Sequence, residues 1–139
     1  MPALEAAIQP ARTPTEPEGI SVLIVEDEPL IADYITLVLR RTDVRLVGAA
    51  GSGSEAVDLA EREPPDVALV DIGLGGTMDG WAVARTLRER FGTAAVFITG
   101  QSLQEIGPQA EAFGAAACLH KPFRAAELVD AVTHARDRS

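Results

Sequence analysis

Cysteine occurs once in these 139 residues, at Cys118, which excludes an internal disulfide and a multi-cysteine zinc site. Lysine also occurs once, at Lys121; the other eleven of the 12 basic side chains are arginine. Basic charge is scarce overall, with 12 basic against 21 acidic side chains and a net charge of −9. At a pI of about 4.6, duplex DNA and anionic membranes are poor partners, because both need a concentrated positive surface. No apolar run approaches the ~18 residues that span a bilayer. The start of the chain lacks the basic-then-apolar layout of a signal peptide, so the expected location is the cytoplasm. What is present suffices for a core: 47% hydrophobic residues and 24% charged ones. The length is that of one domain, typically about 100–150 residues.

Met1 to Gly19 holds four of the nine prolines and no sustained periodicity, and reads as a flexible tail ahead of a domain over 20–139. From Ile20 onward, short apolar runs alternate with longer amphipathic ones. Strands are predicted at Ile20–Val25, Arg45–Ala50, Val67–Val70, Ala95–Ile98 and Ala115–Leu119. Helices are predicted at Glu28–Arg41, with Pro29 in its first turn, at Ser54–Arg62, with Ser52 and Glu55 in capping-box spacing, and at Trp81–Phe91, with Gly92 as a stop. A closing helix spans Arg124–Arg136, with Leu128, Val132 and Ala135 facing inward. Between Gln101 and Phe113, Gly107-Pro108 is expected to break the fourth helix. Five strands alternating with helices predict an α/β fold, a flavodoxin-like parallel sheet of order 2-1-3-4-5 covered on both faces.

The strand ends carry the chemistry. The first strand runs into Glu26-Asp27-Glu28, the third into Asp71, the fourth into Thr99, and the fifth into His120-Lys121-Pro122. In a parallel sheet these ends share the edge where α/β folds bind ligands. Each residue alone has an ordinary explanation, as a cap, a helix-dipole partner or a snorkelling lysine. Together they form a set. Clustered carboxylates repel, so they must share protons or bind a cation, and oxygen ligands with room for water suit Mg²⁺. Such a site supports phosphoryl transfer to a carboxylate, with Asp71 attacking and Lys121 pairing with a phosphoryl oxygen as a compact point charge.

The segments VLIVEDEP (22–29), DVALVDIGL (66–74), DG (79–80), VFITG (96–100) and LHKPF (119–123) resemble the response-regulator receiver domain of two-component signalling. The resemblance runs from Ile20 to about Arg136. It implies that Asp71 is the phosphoacceptor, and that Thr99 and Lys121 sense the phosphoryl group. It also implies that Glu26, Asp27, Asp71 and the Gly73 carbonyl hold Mg²⁺ or Mn²⁺, and that Lys121–Pro122 is cis. The implied phosphodonor is a sensor histidine kinase, a phosphotransfer protein or a small phosphodonor. Output would be a protein target not yet identified or a homodimer, and the only reaction catalysed would be the domain's own phosphorylation and dephosphorylation. The chain would be a stand-alone receiver. Three departures stand out: a glycine-rich loop, IGLGGTM, one residue longer than the commoner pattern; Cys118 where many receivers carry a swinging aromatic; and the interrupted fourth helix.

Other readings compete. Gly51-Ser52-Gly53-Ser54-Glu55-Ala56 fits a dinucleotide-binding pattern, with Asp71 twenty residues on, but it leaves the other strand ends unused. A phosphatase working through an aspartyl-phosphate would want an acid two residues after Asp71, where Gly73 stands. A receiver fold acting only as an unphosphorylated interaction module would not need Asp27, Asp71, Thr99 and Lys121 together. His120 and His134 are expected at the surface, and Trp81 packed at a helix start.

Overall fold

The computed structural model describes residues 19–135. The expected tail therefore lies, save for Gly19, outside the described residues, as do residues 136–139. Five strands alternate with five helices: β1 Ser21–Val25, α1 Pro29–Leu39, β2 Arg45–Ala50, α2 Gly53–Arg62, β3 Val67–Asp71, α3 Gly80–Phe91, β4 Ala94–Thr99, α4 Leu103–Phe113, β5 Ala117–His120 and α5 Ala125–Ala135. The strands pair in parallel in the order β2-β1-β3-β4-β5, a flavodoxin-like α/β fold.

The uniformly apolar strands follow from this architecture, because both faces of the sheet are covered. Side chains alternate across the sheet with a period of two. Leu23, Val25, Ala68, Val70 and Phe97 face α2, α3 and α4, whereas Val22, Ile24, Leu69, Val96 and Ile98 face α1 and α5. Leu128 and Val132 are fully buried and Ala135 nearly so, as their spacing predicts. Each fully buried Val, Leu, Ile or Phe contributes roughly 1.5–3 kcal/mol, so the two layers set the register of the sheet.

Local signals place the helix ends. Ser52 Oγ accepts from the Glu55 N–H at 3.2 Å, while the Glu55 carboxylate reaches back to the Gly51 N–H at 2.8 Å. Asp79 Oδ1 caps α3 through the Ala82 N–H at 2.8 Å. Gly92 and Gly114 close α3 and α4 in the left-handed region, at φ 70° and 90°, where a Cβ would be strained.

The fourth helix corrects the sequence reading: Leu103–Phe113 is one helix with Pro108 inside it. Proline removes the hydrogen bond to the carbonyl four residues back and crowds that carbonyl. Two features offset this. Gly107 has no Cβ to clash with the proline ring, and the turns on either side are held by burial of Ile106 and Ala110. Ser102 Oγ capping the Gln104 N–H, at 3.1 Å, and Gly114 secure the two ends. β5 begins at Ala117, two residues later than expected: the Ala115 N–H still bonds back to Ala110 at the end of α4, and Ala116 is a bend whose N–H already reaches the Ala95 carbonyl of β4 at 2.9 Å.

Candidate functional site

The carboxyl ends of β1, β3, β4 and β5 meet in a cleft of about 460 Å³ lined by Asp27, Glu28, Asp71, Gly73, Thr99 and Lys121 among others. Asp71 ends β3 and is 5% exposed. Its Oδ1 accepts from the Gly73 N–H at 2.9 Å, and its Oδ2 faces Lys121 Nζ at 3.3 Å. The backbone here is tightly packed: a Cβ on Gly80 would lie 2.4 Å from the Asp71 carbonyl oxygen. Glycine at the start of α3 is therefore what lets the helix back onto the strand end.

Glu26 follows β1 directly and its side chain is fully buried. Its Oε2 accepts from the Glu28 N–H at 3.1 Å. Its Oε1 lies 3.1 Å from Lys121 Nζ, an ion-pair contact without hydrogen-bond alignment. Among the described residues, Oε1 is thus a buried side-chain oxygen without a hydrogen bond. Burial pushes the Glu26 carboxyl up to about 7, helped by the charge of Asp71 and opposed by the Glu28 N–H and Lys121. Asp27 is exposed, and its Oδ2 accepts from the Gly75 N–H at 3.2 Å, so the glycine-rich loop folds back onto the acidic cluster. Gly76 in that loop adopts φ 98°.

Thr99 ends β4, buried, with Oγ1 accepting from the Gln101 N–H at 2.9 Å; the hydroxyl proton is left to donate. The Lys121 N–H donates to the Thr99 carbonyl at 2.8 Å, which carries the β4–β5 pairing up to the site. The Lys121–Pro122 bond is cis. Burial alone would lower the Lys121 amine, but Glu28, Glu26 and the charge of Asp71 together hold it above its ordinary value.

The expected residues therefore converge: Asp27, Asp71, Thr99 and Lys121 line one cleft, and Glu26 is buried beside it, in contact with Lys121. Gly73 lines it too, contributing its N–H to Asp71. Glu28 joins them without having been singled out: its Oε1 lies 3.0 Å from Lys121 Nζ. Its position beside Glu26-Asp27 was the available signal, masked because an acid ahead of a helix already has an ordinary explanation.

Carboxylate oxygens of Glu26, Asp27 and Asp71 lie within 4.8 Å of one another. Three carboxylates at that spacing, with Glu26 carrying a buried oxygen that has no hydrogen bond, fit a small divalent cation. Elsewhere the ordinary readings hold. Cys118 is half-buried against the core, and burial pushes its thiol up, away from the reactive thiolate. Trp81 packs on Phe97 with ring centroids 4.5 Å apart, and His120 and His134 are exposed. In the dinucleotide-like pattern Gly53 serves packing, since a Cβ there would lie 2.7 Å from Met78 Sδ, and the Gly51 N–H is taken by the Glu55 carboxylate.

Residues 22–133 match the family described as response regulator receiver domain. The transcriptional regulatory protein PdtaR of Mycobacterium tuberculosis is 36% identical over 117 residues, which cover 84% of this chain and 57% of PdtaR. The transcriptional regulatory protein YvrH of Bacillus subtilis is 32% identical over 111 residues, covering 80% of this chain and 46% of YvrH. The chain thus spans about half the length of these curated relatives. Among solved structures, the signal receiver domain of a NarL response regulator from Mycobacterium tuberculosis superposes with a TM-score of 0.77 at 32% identity, covering 86% of this chain and 98% of that one. The signal receiver domain of a modulated diguanylate cyclase from Desulfovibrio desulfuricans gives a TM-score of 0.76 at 33% identity, with 84% and 93% covered.

Proposed function

The chain belongs to the response regulator receiver family of two-component signalling, and from that premise we propose that Asp71 is its phosphoacceptor. The observation that carries the reading is the placement of Asp71 in the acidic cluster with Lys121 Nζ 3.3 Å from its carboxylate. A carboxylate oxygen of Asp71 attacks phosphorus. A P–O bond forms as the P–N bond of a phosphohistidine breaks, or the P–O bond of a small phosphodonor, and the leaving atom keeps the bonding pair. Nothing is oxidised or reduced.

The chain's own residues orient and neutralise. The Gly73 N–H fixes one Asp71 oxygen and Lys121 faces the other, so the carboxylate is oriented before the donor arrives. Thr99 donates its hydroxyl proton to one phosphoryl oxygen and Lys121 pairs with another. Glu26, Asp27, Asp71 and the Gly73 carbonyl would hold Mg²⁺ or Mn²⁺, which supplies neutralisation of the charge shared by carboxylates and phosphoryl oxygens. The modified Asp71 carries new negative charge and acceptor oxygens, which draw Thr99 and Lys121 inward and bias the surface around them. Cys118 cannot take part through an aromatic swing.

The donor in this proposal is a sensor histidine kinase or a phosphotransfer protein, acting in the cytoplasm. An apolar concavity lined by Leu30, Ile31, Tyr34, Pro122 and Phe123 opens beside the cleft and shares Lys121 with it, offering such a donor a docking surface. Output is a contact with a second protein or with another copy of the chain. No helix among the described residues is long and apolar enough to cross a membrane.

The test is incubation with acetyl phosphate and Mg²⁺. Wild type should gain one alkali-labile phosphate per chain and Asp71→Asn none. A wild type that stays unmodified, or an Asp71→Asn variant that is modified equally, refutes the assignment.

A further inference from the structure

We propose that Glu28 is a positioning residue that competes with an incoming phosphoryl group for Lys121, and thereby sets how readily Asp71 is loaded. This rests on the phosphoacceptor reading above. Three carboxylate oxygens surround Lys121 Nζ: Glu28 Oε1 at 3.0 Å, Glu26 Oε1 at 3.1 Å and Asp71 Oδ2 at 3.3 Å. The contacts to Glu28 and Asp71 are hydrogen bonds and that to Glu26 is an ion pair without hydrogen-bond alignment, so an arriving phosphoryl oxygen meets an ammonium whose charge is already shared among three carboxylates and must compete with them for it.

The three differ in what release costs. The side chain of Glu26 has no exposed surface and that of Asp71 only 7%, so neither can turn away into water. The Glu28 side chain is 61% exposed, and an exposed ion pair exchanges its partner for hydration at little cost. Glu28 is therefore the contact that yields. It also lines the cleft that the phosphoryl group must enter, where its negative charge repels a negatively charged arrival. Its side chain makes no capping bond to α1, where Pro29 takes the first helical position. Substituting it therefore spares the helix.

Wild type, Glu28→Gln and Asp71→Asn separate the possibilities in two assays. The first, without metal or donor, follows acylation of Lys121 by a limiting amine reagent with peptide mass mapping. Lys121 is the chain's only lysine, so one site reports how firmly the amine is held. The second reads phosphate on Asp71 by intact mass against acetyl phosphate concentration, with Mg²⁺ present. Glu28→Gln should acylate roughly threefold faster and reach half-loading at roughly one-third of the donor concentration, the scale set by one exposed ion pair. Both differences should shrink at high salt, which screens the wild-type interaction. A Glu28→Gln variant that matches wild type in either assay, or loads less readily, overturns the competition alone. A wild type that takes up no phosphate overturns the phosphoacceptor reading and the competition with it.

Discussion

Glu26 is a carboxylate held away from water beside a second carboxylate, and the conflict has a pH signature. Its carboxyl, pushed up to about 7 from 4.5, keeps a proton in the folded chain that the unfolded chain has released. In the window between those values the native state binds more protons, so metal-free stability falls as pH rises from 4.5 to 7. The contribution is complete below the lower value and gone above the higher. Thermal unfolding of Glu26→Gln should lack that slope. A cation needs the ionised carboxylate, so Mg²⁺ affinity should run the other way and weaken by about tenfold from pH 8 to pH 6. Calorimetric titration at the two values checks this, and equal affinities would contradict it. At this scale much of the site was legible, because Asp71, Thr99 and Lys121 each follow an apolar strand. Glu28 was not. Its contact with Lys121 joins residues 93 apart in the chain, a separation that no local spacing reveals.

Among the elements, α4 shows a local penalty overruled by packing. Interior proline costs about 3 kcal/mol or more in a helix, which is why the sequence pointed to a break at Gly107-Pro108. Burial of Ile106 and Ala110, with a serine cap and a left-handed glycine at the ends, carries the helix through. Pro108→Ala should therefore stabilise the protein by ~2 kcal/mol, the helical gain being reduced by the greater freedom of the unfolded chain. In urea this would be seen as a raised midpoint with an unchanged slope. An unchanged or lowered midpoint would mean that the proline is not strained where it stands. The other elements were read more closely from sequence, since β1 to β4 are apolar runs bounded by turn signals and α2, α3 and α5 show inward spacing. Propensity and burial agree there, whereas in α4 they conflict.

For the whole molecule, a divalent cation at the acidic cluster would tie stability to ligand. A cation bound only by the native state at a hundred times its dissociation constant adds about 2.7 kcal/mol. Saturating Mg²⁺ should accordingly raise the melting temperature, a chelator should return it, and Asp27→Asn should lose most of the gain. A melting temperature indifferent to Mg²⁺ in wild type would refute a divalent site at this cluster.

Sequence alone determined the alternation of strands and helices and the chemistry at the strand ends, because hydrophobic period and turn residues act over a few neighbours. It also singled out Lys121, because one lysine among eleven arginines is visible without coordinates. Only the tertiary structure decided that α4 continues through Pro108, that Glu26 is shut off from water beside Asp71, and that Lys121 is held by three carboxylates. Each depends on burial or on contacts between distant segments. Those free energies exist only once the sheet has closed and brought four strand ends to one edge.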